Sequence, residues 1–242
     1  TKSKDVKSLA SGRTDAGVHA LGQLVKIEIP LNISGESLKK ALNTNLPEDI
    51  RVRDAHACGP DFHPIRDAHW KEYWYLLTFS RPGPFHYRHV GHIKRVCDEE
   101  RLKRAAKMYE GRHDFKAFMC KGTPVTTTER TIYEAEIEGP FSSPLYFPPK
   151  VQGELSGAGL GMVFPVCYLF RVVGEGFLKQ MVRLMVGAMT EVASGRVSEH
   201  ELKKALAGER DLEERLGPVA PASGLYLAQV GYVEHPRALT NA

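Results

Sequence analysis

Several segments of this sequence alternate between apolar and charged residues, and this alternation constrains the fold more than any other feature. Val25, Ile27 and Ile29 alternate with charged residues, and the segment 133–138 alternates in the same way with glutamates. A strand of this pattern has one buried and one solvated face, which is typical of antiparallel sheets, whereas parallel doubly wound sheets have continuous apolar runs. The pattern therefore predicts an α+β fold with a mixed, mainly antiparallel sheet and helices packed on it.

Other elements are predicted from periodicity and capping residues. The segment 177–192 has the pattern of a helix that is apolar on most faces, which indicates that it is buried in the body of the protein. The remaining predictions are strands at 50–57, 70–79, 162–173 and 224–233, and helices that begin at Ser34, Asp98 and Ser198.

The composition changes in the middle of the chain. Residues 139–161 are rich in proline, glycine and serine, which predicts a long loop or an insertion rather than a folded element. We therefore divide the chain into an N-terminal part (1–138), an insertion (139–161) and a C-terminal part (162–242).

Composition also excludes several classes of protein. The four cysteines are far apart in sequence, which indicates neither a disulfide framework nor a zinc site and favours a reducing compartment, the cytoplasm or an organelle matrix. The longest apolar stretch contains Arg183, so no membrane span is expected. Rossmann and Walker motifs are missing, and the histidines 86, 89 and 92 have no cysteine or carboxylate among them, so we expect neither a cofactor nor a metal.

The charge of the chain permits a polyanionic partner. The formal net charge is +4, and the segment 81–95 mixes cations with aromatic rings and contains no carboxylate. This composition suits RNA phosphates and bases, although a solvated loop between two elements has the same composition.

Residues 11–20 hold the most informative motif, Ser-Gly-Arg-Thr-Asp-Ala-Gly-Val-His-Ala. Arg13 and Asp15 stand two residues apart between Gly12 and Gly17, directly before a predicted strand. Glycines allow tight turns and the close approach of a ligand, and a permanently charged arginine would hold Asp15 as an anion. A carboxylate on such a loop can act as a nucleophile or a base, and a surface ion pair in a turn is the alternative without a function.

Arg183 lies midway along the most apolar predicted helix. A lone cation there would cost several kcal/mol unless an anion met it, so we expect a buried carboxylate or a bound phosphate beside it. A structural ion pair and a side chain that reaches the surface are the alternatives.

Tyr73 and Tyr75 flank Trp74 in a predicted strand, so the two tyrosines share one face and the tryptophan takes the other. One of these faces could line a cleft in which a tyrosine stacks on a flipped base. Aromatic packing in the core is the alternative.

These motifs together resemble the tRNA pseudouridine synthase A (TruA-type) family. The similar blocks occur in the order of the family and cover nearly the whole chain apart from the insertion. They lie at residues 11–20, 43–47, 61–63, 71–75, 111–118, 177–183 and 222–227.

The resemblance implies a pseudouridine synthase fold with a central RNA-binding cleft, to which the N-terminal part contributes the catalytic loop. It implies that Asp15 is catalytic, that Arg183 pairs with it, that Tyr73 is the active-site tyrosine and that Leu225 forms an apolar wall of the uracil pocket. Arg13 would then position the loop or contact RNA. The expected activity is the isomerisation of uridine in tRNA, in the anticodon stem-loop, by a homodimer without a cofactor.

The sequence departs from the family pattern in two places. The family begins with a strand and a helix ahead of the catalytic motif, so with ten residues before Ser11 we expect that strand to be missing. An arginine credited with flipping the base is shifted by one residue, to Arg66, which would reverse its face in a strand but not in a loop. A catalytically silent RNA-binding relative in an RNA–protein assembly is therefore the alternative function.

Overall fold

The computed structural model describes residues 6–122, 124–142, 165–210 and 214–235. These residues form nine β-strands and four α-helices. The strands are β1 (Lys7–Ala10), β2 (His19–Ala20), β3 (Val25–Glu28), β4 (Trp70–Thr78), β5 (Gly91–His92), β6 (Gly111–Asp114), β7 (Glu129–Ser142), β8 (Val166–Gly174) and β9 (Leu225–Gly231). The helices are α1 (Gly35–Asn45), α2 (Glu99–Lys107), α3 (Met181–Ala193) and α4 (Glu199–Leu206).

The chain divides into two compact units. The first comprises Thr1–Gly12 and Leu24–Asp67, and the second comprises Arg13–Gln23 and Ala68–Ala242. In the first unit, β1 and β3 form a two-stranded antiparallel sheet. The hydroxyl of Ser34 caps α1 by accepting a hydrogen bond from the backbone N–H three residues later, as the sequence predicts.

The strand predicted at 50–57 is wrong, because this segment is irregular in the first unit. The side chain of Asn43 in α1 makes the backbone hydrogen bonds that a neighbouring strand would otherwise make. Its Oδ1 accepts a hydrogen bond from the Val52 N–H at 2.8 Å, and its Nδ2 donates to the Val52 carbonyl at 2.9 Å. The backbone polar groups of Val52 are thus satisfied without a sheet.

Arg66 also lies in the first unit, in a turn rather than a strand. The carbonyl of His63 accepts a hydrogen bond from the Asp67 N–H at 3.0 Å, and the Arg66 N–H lies 3.1 Å from His63 Nδ1. The shift of this arginine along the sequence therefore does not translate into a change of strand face.

The second unit is built on a seven-stranded sheet in the order β2–β9–β4–β8–β7–β6, with β5 beside the end of β4. The pairs β2–β9 and β4–β5 are parallel, and all other pairs are antiparallel. The α+β class and the mixed, mainly antiparallel sheet predicted from the alternation are confirmed.

Helices α2, α3 and α4 contribute to the same hydrophobic core as the buried residues of the sheet. Every residue of α3 is buried except Arg183, which is partly exposed. The helix begins at Met181 rather than at the predicted residue 177, and the residue before it, Gln180, has a left-handed backbone with φ 64°. Leu102, Ala105 and Ala106 of α2 complete this layer at the predicted helical spacing.

The other face of the sheet carries polar side chains. Arg171 of β8 pairs there with Glu72 at 2.6 Å and also with Glu134 and with Glu136 at 3.3 Å. The alternation at 133–138 predicts that Tyr133 shares the core face with Ala135, but the register of β7 shifts between Ile132 and Glu134. Because of this bulge Ile132 enters the core instead, and Tyr133 stacks on His235 with ring centroids 5.1 Å apart.

Strand β7 continues through Gly139 to Ser142, beyond the residue at which the sequence predicts a loop. Residues 143–161, the rest of the predicted insertion, and residues 162–164, the start of the strand predicted at 162–173, lie outside the described residues. Within the described part of the chain, no helix is both long and apolar enough to cross a membrane.

Candidate active site

The loop between residues 12 and 19 ends in β2, which pairs in parallel with Tyr226 and Leu227 of β9. Within the loop, the Val18 N–H donates a hydrogen bond of 3.1 Å to the carbonyl of Asp15, which closes a tight turn. Gly17 has φ +81°, a backbone conformation that residues with a Cβ rarely adopt. The turn and the strand after it fix where the Asp15 side chain emerges.

Asp15 forms its ion pair with Arg183, which is 168 residues away in sequence. Nη1 of Arg183 lies 3.0 Å from Oδ2 of Asp15, with 15% and 32% of the two side chains exposed. The carboxylate is therefore held in place while part of it remains accessible to a ligand. Arg13, by contrast, is exposed and has no ion pair within the described residues.

A second hydrogen bond fixes the guanidinium of Arg183. Its Nε donates to the carbonyl of Ala220 at 2.7 Å, and the Ala220 N–H donates back to the Arg183 carbonyl at 3.2 Å. The next carbonyl, that of Pro221, accepts a hydrogen bond from the Tyr75 hydroxyl at 2.9 Å. The segment before β9 thus orients the counter-charge of Asp15.

Tyr73 projects from β4 on the same face as Tyr75 and is half-buried. Its ring meets Phe177 edge to face, with centroids 5.0 Å apart and an interplanar angle of 77°. Burial, together with the negative charge of Asp15, raises the pKa of Tyr73 to about 12. The phenol therefore stays neutral at ordinary pH, and its ring offers an aromatic surface near the carboxylate.

Leu225 supplies the apolar part of this region. It is 7% exposed, it begins β9 and it lies opposite Tyr75 in the sheet. Val18 of the loop packs against the same hydrophobic core. The structure thus brings Asp15, Arg183, Tyr73 and Leu225 to one part of the second unit, where a carboxylate and a cation lie among aromatic and apolar side chains.

Sequence reasoning missed three contributors to this region. The carbonyl of Ala220 carries no side-chain signal that could have revealed it. Phe177 stood inside a recognised block but was assigned to the helix. His19 lies inside the motif 11–20 and forms part of β2. The only available signal was the place of that motif directly before a predicted strand.

Metal-binding groups are not clustered here. Among the described residues, no group of three histidine, cysteine or acidic side chains could hold a metal ion. Of the three histidines in the segment 81–95, His86 is buried and His89 stacks against His19 at 5.1 Å.

Known proteins with similar sequences match most of this chain. Residues 105–233, which include Arg183 and Leu225, match the family model described as tRNA pseudouridine synthase. A tRNA pseudouridine synthase A from Limosilactobacillus fermentum is 38% identical over 92% of this chain and 77% of its own length. The corresponding proteins of Shouchella clausii and Geobacillus kaustophilus are 39% and 36% identical, each over 96% of this chain and over 79% and 80% of their own lengths.

Proposed function

Because this chain belongs to the tRNA pseudouridine synthase A family and is an isomerase that acts on tRNA, we propose that Asp15 carries out the reaction on uridines of the anticodon stem-loop. The observation that carries the assignment is the ion pair of Asp15 with Arg183, in which the carboxylate stays partly exposed. A carboxylate that is held by a fixed partner and open to a ligand is preorganised for chemistry.

The reaction moves a bond without adding an atom or changing an oxidation state. The N1–C1′ bond of uridine breaks, the base turns, and C5 bonds to C1′. The C5 hydrogen leaves as a proton and N1 takes up a proton, so the product is an isomer of uridine. Asp15 can serve as a nucleophile towards the sugar or the base, or as the base that removes a sugar proton. Each route needs a carboxylate that is held in place, and the Arg183 guanidinium, 3.0 Å away, holds it.

The neighbouring residues have roles in holding the flipped base. A base must leave its stack before the reaction, at a cost of about a few kcal/mol, and an aromatic ring can offset part of that cost. Tyr73 supplies such a ring, and Leu225 forms an apolar wall of the uracil pocket. Arg13 is exposed and is assigned to the RNA backbone.

The anticodon stem-loop as the target and a homodimer as the active form are supported by the family resemblance. The RNA-binding relative without activity is not proposed, because the chain keeps an aspartate, an arginine and a tyrosine at the positions where the motif requires them.

Tritium release from tRNA labelled at uridine C5 tests the proposal. The wild-type protein should release tritium, Asp15→Ala and Asp15→Asn should not, and the exposed control Asp49→Ala should behave as the wild type. Release that survives Asp15→Ala would overturn the site assignment. A tRNA without uridines in the anticodon stem-loop should release none, and full release from it would overturn the proposed target.

A further inference from the structure

The basic and aromatic segment 81–95 is joined by hydrogen bonds to the elements of the candidate active site. The His19 ring, directly after the catalytic loop, places Nε2 2.7 Å from the Arg88 carbonyl. Because a carbonyl only accepts, this nitrogen carries the proton. The hydroxyl of Ser223, just before β9, donates to the Val90 carbonyl at 3.0 Å.

Ring contacts extend this junction. His19 lies between His89 and Tyr226, with ring centroids 5.1 and 4.7 Å away and interplanar angles of 25° and 22°. The Tyr226 hydroxyl donates to the His89 carbonyl at 2.6 Å. The segment 81–95 is therefore fixed relative to the loop that carries Asp15.

A cavity of 650 Å³ opens where this segment meets the residues before β9. Arg81, Tyr87 and His92 of the segment line it, together with Pro221 and Ser223. Its size lies in the range of small-ligand sites, which is about 300–1,000 Å³. The segment 220–223 connects the cavity to the active site, because Pro221 and Ser223 line the cavity and the carbonyl of Ala220 orients Arg183.

The side chains at this cavity have the chemistry of a site for single-stranded RNA. The Tyr87 side chain is 51% exposed, and the guanidinium of Arg88 lies over its ring at 5.5 Å while Nε bonds its hydroxyl at 2.8 Å. Arg81 is exposed and has no partner within the described residues. A ring held in place beside an unpaired cation suits a base and its phosphate.

We propose that this cavity binds the nucleotide adjacent to the target uridine, whose base stacks on Tyr87 and whose phosphate contacts Arg81. The inference rests on the proposed active site at Asp15, because the segment 220–223 connects the two sites. It assigns Tyr87 and Arg81 to substrate binding and gives them no part in bond making or breaking.

Abasic substrates test the stacking contact. Anticodon stem-loop RNAs tritiated at the target uridine are prepared with an abasic nucleotide on its 5′ or its 3′ side. On one of these two abasic RNAs, the kcat/KM of the wild-type protein should be about tenfold lower than on normal RNA, as expected for the loss of one base–aromatic stack. On normal RNA, Tyr87→Ala should show the same fall in kcat/KM, caused by a higher KM. On that abasic RNA, its kcat/KM should not fall further. Tyr87→Trp should restore the wild-type pattern.

Salt dependence tests the phosphate contact. Arg81→Ala should reduce the slope of log Kd against log salt by about 0.7, the value for one phosphate of a single strand. The matched control Arg104→Ala removes the same charge from the exposed side of α2 and should leave the slope unchanged.

The inference would be overturned if the abasic penalty at both positions were equal in the wild type and Tyr87→Ala, or if the salt slopes of Arg81→Ala and Arg104→Ala were the same. Failure of this inference can be told apart from failure of the proposed active site. If only the inference fails, tritium release still depends on Asp15. If the active-site assignment fails, tritium release does not depend on Asp15.

Discussion

The guanidinium of Arg183 makes two contacts at once: Nη1 pairs with Asp15, and Nε donates a hydrogen bond to the Ala220 carbonyl. A lysine has a single ammonium group on a flexible stem and cannot hold this fork geometry. The residue is thus a positioning group for the carboxylate as well as its counter-charge.

Arg183→Met should lower kcat/KM for tritium release by about a hundredfold, the effect of losing a hydrogen bond between charged groups. Because both partners are partly exposed, the free energy of unfolding should fall by only about 1 kcal/mol in urea. The kcat/KM of Arg183→Lys should lie between those of the wild type and of Arg183→Met. Severe unfolding, with normal activity in the folded fraction, would mean that the arginine is purely structural.

Tyr73 should act through its ring, which is fixed edge to face against Phe177. The pKa of its hydroxyl is raised to about 12, so the residue does not act as a phenolate at ordinary pH. Tyr73→Phe should therefore keep a kcat/KM close to that of the wild type, whereas Tyr73→Leu should lose about tenfold or more, in line with the loss of one stacked base. The measurement is steady-state tritium release. Equal losses in the two variants would assign the role to the hydroxyl.

At the scale of elements, α3 and the segment before β9 fit together through glycine. A Cβ added at Gly187 would lie 1.8 Å from the Pro218 carbonyl oxygen, and one added at Gly217 would lie 2.5 Å from the Gly187 oxygen. Only glycine permits this approach of two backbones. The approach sets the position of Ala220 and hence that of Arg183.

Gly187→Ala should displace the segment before β9 and destabilise the protein by about 1–3 kcal/mol, the usual effect of overpacking. Activity per folded molecule should fall as well, because the acceptor of Arg183 moves. Gly59→Ala is the control, since a Cβ there meets no atom within 4 Å. Urea unfolding and tritium release would be measured on both variants, and a stable but inactive Gly187→Ala would separate positioning from folding.

How far the sequence predicts each element depends on how local its cause is. Caps at Ser34, Asp98 and Ser198 are local, and each bonds the backbone N–H three residues later as expected. The bulge at Tyr133 depends on the neighbouring strand, and the irregular segment at Val52 depends on a side chain of α1. Neither of these causes can be read from periodicity.

For the whole molecule, buried tyrosines predict a loss of stability at alkaline pH. Burial raises the pKa of Tyr73 and Tyr226 from 10.0 to about 12, and it also raises that of Tyr75 and Tyr109. Below pH 10 both the folded and the unfolded chain keep these protons. As the pH rises from 10 towards 12 the unfolded chain loses them first, so the folded state is progressively destabilised.

The free energy of unfolding in urea should therefore be level below pH 10 and fall above it, by at most about 1.4 kcal/mol per pH unit for each tyrosine. Tyr226→Phe should make the fall shallower. A fall of equal slope in this variant would show that other groups cause the alkaline unfolding.

The site was predictable only in part. Motif resemblance implied that Asp15 and Arg183 are partners, and the cost of a lone cation in an apolar helix independently required an anion near Arg183. In the structure the two side chains lie 3.0 Å apart, and Arg13, the nearer arginine in sequence, does not pair with Asp15. The Ala220 carbonyl could not be predicted, because its role comes from the packing of α3 at Gly187.

The pairing of β2 with β9 has a consequence for the order in which a ribosome makes this protein. The loop that carries Asp15 is synthesised long before Arg183 and before β9, the strand that pairs with β2. At a synthesis rate of about 5–20 residues per second, Leu227 is added about 10–40 s after Asp15. A nascent chain therefore holds the Asp15 carboxylate without its Arg183 partner, and the ion pair forms only after both segments have been made.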